Sequence, residues 1–87
     1  MSEETLLEFP CQFPIKVMGS ATPDFSEKVR RIVCKHAGDI ADHAVRERPS
    51  GQGNYLSVTV TITANSKQQL DNIYLELNGC DWIVMTL

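Results

Sequence analysis

The stretch that most limits what this chain can become is Tyr55 to Ala64, YLSVTVTITA. Leu56, Val58, Val60 and Ile62 alternate there with Tyr55, Ser57, Thr59, Thr61 and Thr63. A period of two puts the first set on one face of a strand and the second, more polar set on the other. The β-branched composition suits a long strand inside a sheet. Every other segment must therefore pair with this strand or cover its apolar face. At 87 residues the chain makes one domain, and a domain of that length buries only roughly 60–65% of its unfolded surface. That is enough core for two helices on one sheet, and an apolar surface on the far side of the sheet would favour self-association.

Around the central strand, the segment from Met1 to Glu8 reads as a flexible, acidic N-terminal stretch, with Leu6, Leu7 and Phe9 able to tuck against a domain spanning 9–87. Gln12 to Gly19 is a first strand, with Phe13, Ile15 and Val17 on one side and Pro14, Lys16 and Met18 on the other. After the Gly19-Ser20-Ala21 turn, Thr22 is placed to cap a helix that has Pro23 at its first position and Asp24 in its first turn. The helix runs to His36 or Ala37 along the stripe Phe25, Val29, Ile32, Val33 and His36, and Gly38 closes it. Ala44 to Pro49 is a charged edge strand, and Ser50 to Asn54 a hairpin loop. Ser66 and Gln69 form a capping box for a second helix, striped by Leu70, Ile73, Tyr74 and Leu77 and ended at Gly79. Asp81 to Leu87 alternates Ile83, Met85 and Leu87, assigned to the core, against Trp82, Val84 and Thr86.

The order βαββαβ, with antiparallel pairing and right-handed connections, closes into an α+β ferredoxin-like sandwich of sheet order 4-1-3-2 with both helices on one face. The other face is expected to carry Lys16, Met18, Tyr55, Ser57, Thr59, Thr61, Trp82, Val84 and Thr86. Its apolar end, formed by Met18, Tyr55, Trp82 and Val84, is the expected interaction surface.

Charge and chemistry then narrow the function. A formal net charge of −3 leaves no general attraction for nucleic acid or an anionic membrane. MSEETLLEF lacks a basic leader and a long apolar run, and no later segment approaches the ~18 apolar residues of a membrane span, so a cytoplasmic location is expected. Cys11, Cys34 and Cys80 are odd in number and irregularly spaced, which suits reduced, mostly buried thiols rather than disulfides or zinc. Cys34 and His36, two apart on a helix, point in opposed directions and cannot grip one metal. The heavy-metal-binding relatives of this topology need two cysteines where Ser20 and Ala21 stand. An acylphosphatase-like enzyme needs a cation in the first loop, where Asp24 would repel phosphate. RNA binding by this topology needs central aromatics where Ser57, Thr59 and Thr61 stand. Asp24, Asp39, Asp42 and His43 are the titratable groups near loops, and none forms an evident nucleophile–base pair. No enzyme, cofactor or metal is indicated.

Two resemblances add to this. Gly19, Pro23 and Phe25 match the G-x-D-R-P-G-L stretch that ends the first strand of ACT domains, the metabolite-sensing modules of amino-acid enzymes. Thr22 and Asp24 replace that pattern's arginine and glycine. Over Leu6 to Leu87 the chain also resembles the YbeD-like family of small bacterial proteins, through Leu6-Leu7-Glu8-Phe9-Pro10, Lys16-Val17-Met18-Gly19, Gly53-Asn54-Tyr55 with Ser57-Val58, and Tyr74-Leu75-Glu76-Leu77. The resemblance implies an ACT-like ferredoxin fold and a regulatory role in a lipoate-related setting. The expectation is a regulatory or adaptor module that takes a small metabolite near Gly19, Ser20, Thr22 and Asp24, or self-associates or meets an enzyme partner through the open sheet face. The alternative is a protein-binding module with no ligand.

Overall fold

Leu56, Val58, Val60 and Ile62 line the inner face of β3 (Tyr55–Ala64), which lies between β1 (Cys11–Ser20) and β2 (Val45–Ser50) in the protein's computed structural model. The structure describes residues 8–86, and the expectations for Leu6, Leu7 and Leu87 fall outside them. β4 (Ile83–Thr86) pairs with the other edge of β1, so the sheet order is β2-β3-β1-β4, fully antiparallel. This is the ferredoxin-like arrangement expected from the element order. The long β1–β3 ladder pairs Ile15 with Val60 and Val17 with Val58, all four with no exposed surface. α1 (Phe25–Ala37) and α2 (Lys67–Asn78) cover that face with Phe25, Val29, Ile32, Val33, Leu70, Ile73 and Leu77. Phe9 packs against the margin of the same core.

The helix ends obey local chemistry, with one correction. Ser66 caps α2 through its hydroxyl, which accepts from the Gln69 amide at 3.1 Å, while the Gln69 carboxamide returns to the Asn65 amide at 2.7 Å. Thr22 is not the cap of α1. The Phe25 amide bonds to the Thr22 carbonyl at 3.2 Å, closing a turn with Pro23 in its second position, and Asp24 becomes the cap residue. The Thr22 hydroxyl donates to the Asp24 carboxylate at 3.0 Å instead. Gly38 ends α1 at a φ of 81°, and its amide bonds to the Cys34 carbonyl.

β4 also departs from the expected alternation. Val17 lies opposite Thr86 and Met18 opposite Met85, but Gly19 lies opposite Ile83, so Val84 is an extra residue in a bulge. An extra residue reverses the side-chain phase on its two sides. Ile83 keeps its place over the core, whereas Met85 moves to the open face at 48% exposure and Thr86 to the helix side, where its hydroxyl donates to Asn78 at 3.1 Å. Trp82 precedes the bulge and turns under α1. Its ring meets Phe25 edge to face, centroids 5.6 Å apart, and Lys28 lies over it at 5.2 Å. Trp82 therefore belongs to the helix-side packing and not to the open face. Gly19 makes room for this: a Cβ there would lie 2.3 Å from the Phe25 ring and 2.6 Å from the Trp82 carbonyl oxygen.

Candidate functional site

The loop between β1 and α1 is built by backbone bonds. The Ala21 amide donates to the Asn54 carbonyl at 3.2 Å and the Thr22 amide to the Ser20 carbonyl at 2.8 Å. Of the four residues expected to hold a ligand here, Gly19 is buried beneath Phe25 and Trp82, while Ser20, Thr22 and Asp24 are exposed. The polar groups of Thr22 and Asp24 are turned on each other, and Lys28 pairs with Asp24 at 3.5 Å. The Thr22 hydrogen bond, assisted by Lys28, holds the Asp24 carboxyl below its ordinary value, so the loop presents an anion at neutral pH.

A cleft of about 550 Å³ lies elsewhere, between α1 and β2. Ser26, Glu27, Arg30, Arg31, Cys34, Asp42, Val45 and Glu47 line it. Arg30 is pinned to Asp42 at 2.8 Å and to the Ile40 carbonyl, and Arg31 to Glu27 at 3.1 Å. Both cations are thus paired with carboxylates of the same chain. The three thiols, expected to be reduced and mostly buried, are free and half-buried. His36 is held between the helices by Glu76 at 2.9 Å, with Lys35 on the other carboxylate oxygen. Among the described residues, no group of three His, Cys, Asp or Glu side chains converges as a metal site would require.

The open face of the sheet is different. Register places Pro14, Lys16, Met18 and Ser20 of β1 beside Thr61, Thr59, Ser57 and Tyr55 of β3. Arg46 and Arg48 of β2 lie on the far side of Thr59 and Ser57, and Met85 of β4 lies beside Met18. One row across the sheet therefore reads Arg46, Thr59, Lys16, and the next reads Arg48, Ser57, Met18, Met85. The one carboxylate in the strands, Glu47, is opposite Val58 and faces the helix side. Lys16, Arg46 and Arg48 are exposed, and none has an ion-pair partner among the described residues. The remaining five basic residues, Lys28, Arg30, Arg31, Lys35 and Lys67, all have one. Of the expected interface residues, Met18, Tyr55 at 41% exposure and Val84 at 56% lie at the open surface or its β4 margin. Trp82 does not.

A family model described as "Protein of unknown function (DUF493)" matches residues 4–87. The chain belongs to the DUF493 family. Its relatives in that family include UPF0250 proteins of Chromobacterium violaceum, 46% identical and covering all of both chains, and of Paraburkholderia phytofirmans, 43% identical over 97% of this chain and 94% of that one. The UPF0250 protein NE1487 of Nitrosomonas europaea is 44% identical over the full length of both. This agrees with the resemblance to YbeD-like proteins read from the sequence. Among solved structures, the solution structure of HP0495 from H. pylori superimposes with a TM-score of 0.71 at 16% identity, covering 93% of this chain and 85% of that one. At that identity the likeness speaks for the fold alone. No helix among the described residues of this DUF493 chain is long and apolar enough to cross a membrane.

Sequence reasoning missed Arg46, Arg48 and Met85. The two arginines left a signal: Val45-Arg46-Glu47-Arg48 alternates, so both arginines must share the face opposite Val45. What the alternation lacked was the register that brings Lys16 onto the same row.

Proposed function

We propose that this protein is a non-catalytic regulatory or adaptor module that acts by binding a macromolecular partner through the open face of its sheet. The observation that carries the reading is the set of Lys16, Arg46 and Arg48, which face outward together with no carboxylate of the described residues among them, on the same face as exposed Met85 and with exposed Val84 at its β4 margin. Like charges separated by ~7 Å along a strand and ~10 Å across two strands lie within about one Debye length and repel. A surface that gathers them, and sets apolar side chains alongside, is relieved when a complementary surface covers it. The face measures on the order of 500 Å² by strand spacing and rise, the scale of one side of a small, transient interface.

The metabolite-sensing form of the reading has less support. Thr22 and Asp24 satisfy one another, Asp24 would repel a carboxylate or phosphate, and the α1–β2 cleft is lined by residues other than Ser20, Thr22 and Asp24. A thermal-shift screen against amino acids, lipoate, octanoate, nucleotides and divalent cations separates the two. The binding-module reading expects a flat screen up to about 1 mM. A concentration-dependent rise that Asp24→Asn abolishes, and that Arg46→Glu with Arg48→Glu leaves intact, would overturn it in favour of a ligand site at the first loop.

A further inference from the structure

We infer that the partner of the open face is a protein segment of acidic, amphipathic character, its carboxylates seated on Lys16, Arg46 and Arg48 and its apolar side chains on Met18, Val84 and Met85. This inference rests on the reading of that face as a binding surface. Two observations choose the chemistry. First, the arginines and the β4 apolar groups are segregated: Arg46 and Arg48 occupy the β2 edge, Val84 and Met85 the β4 edge, and Lys16 and Met18 follow one another along β1 between them. A segment laid across the strands meets charge at one flank and thioether and aliphatic surface at the other. Second, the hydroxyls of Thr59 and Ser57 lie between the two flanks. Guanidinium forks that take carboxylates in bidentate pairs, with hydroxyl donors beside them, form an acceptor for side-chain carboxylates.

The same geometry argues against the other occupants. A second copy docking face to face on a two-fold axis would gather six cations, three from each copy, into one interface with no carboxylate from the strands of that face to offset them. A second copy docking by its acidic helix side would make a heterologous contact, which builds rings or filaments rather than a two-fold dimer. A nucleic acid strand would find backbone-binding cations but no ring in the Arg46–Lys16 row on which to stack a base, since Tyr55 stands at the end of its strand against Gly51. It would also be repelled by the rest of the sequence, where five basic residues stand against eleven acidic ones. A short acidic segment suffers less of that repulsion, and its apolar side chains gain from the methionine edge.

The test uses three fluorescent probes and the full chain: an amphipathic helical peptide of about 18 residues with glutamates on one flank and leucines on its face, the same peptide with glutamines for glutamates, and an oligothymidylate of about 20 nucleotides. The glutamate peptide is expected to bind, to perturb the backbone amide resonances of Lys16, Arg46, Ser57 and Met85, and to bind about 10-fold more weakly to Arg46→Glu with Arg48→Glu or when salt rises from about 50 to about 300 mM. The glutamine peptide is expected to bind roughly 5-fold or more weakly than its parent. Lys16→Glu alone, checked for folding by its thermal transition, should weaken the glutamate peptide by a smaller factor in the same direction. Tighter binding of the oligonucleotide, lost in the double variant, would overturn the acidic-protein partner while leaving the binding-face reading intact. Equal binding of both peptides would overturn the charge argument. A wild-type protein that binds no probe, while sedimenting as a dimer that the double variant breaks, would assign the face to a second copy. No binding and no association would remove the inference and the binding-face reading together.

Discussion

The two sides of the sheet solve the same electrostatic problem in opposite ways. On the helix side, every lysine and arginine has a carboxylate partner, and Glu76 alone gathers Lys35 and His36 from the neighbouring helix. On the open side, Lys16, Arg46 and Arg48 stand together with none among the described residues. The helix side also carries the core, so its side chains are constrained by packing. The contrast teaches that this acidic domain does not present an acidic surface everywhere: charges that stabilise the fold are consumed on one side, and those left over are gathered on the other.

Substitutions on the two sides should differ widely in what they cost. Phe25→Ala removes a fully buried ring beneath α1 and should cost about 3–5 kcal/mol in urea unfolding. Trp82→Ala should cost about 2–3 kcal/mol, including the edge-to-face contact with Phe25. A Trp82 variant that unfolds like the wild type and loses only self-association would return this residue to the open face. Ser66→Ala, which removes the α2 cap, should cost about 1 kcal/mol.

Acid should act on the helix side. Hydrogen bonds from Lys35 first, and then from His36, hold the Glu76 carboxyl below its ordinary value of 4.5. A carboxyl whose folded value is depressed stabilises the fold above its unfolded value, and that stability is lost as pH falls through the folded value. Urea midpoints measured downward from pH 5 should therefore fall less steeply in Glu76→Gln than in the wild type. The smallest effect is expected on the other side. Arg46→Glu with Arg48→Glu should leave the free energy of urea unfolding within about 0.5 kcal/mol of wild type, since both side chains are exposed and have no ion-pair partner among the described residues. A large loss there would mean that the open face is structural.

Much of this architecture was legible in the chain. The alternation of Leu56 to Ile62 specified β3 and its buried face, the Phe25–Val33 stripe specified α1, and Ser66 with Gln69 marked the start of α2. The turn of Thr22 and Pro23 was readable, but its helix begins one residue past Asp24, because the Thr22 carbonyl closes a turn before the helical ladder starts. The phase of β4 was not legible. Ile83 to Leu87 is apolar on both faces, so a two-residue period could not reveal the extra residue at Val84 that exchanges Met85 with Thr86. Nor could it reveal that Trp82 turns under α1, since that depends on Gly19 admitting the ring of Phe25 and the Trp82 carbonyl.

By itself, then, the sequence determined the elements, their order and the residues of the core, because periodicity, caps and turn residues act over a few neighbouring positions. The tertiary structure alone decided which charges meet. Lys16 and Arg46 are thirty positions apart in the chain and two strands apart in space, and Lys35 finds Glu76 only when the two helices lie side by side. Coulomb energy depends on distance through space, and strand register and helix packing set that distance.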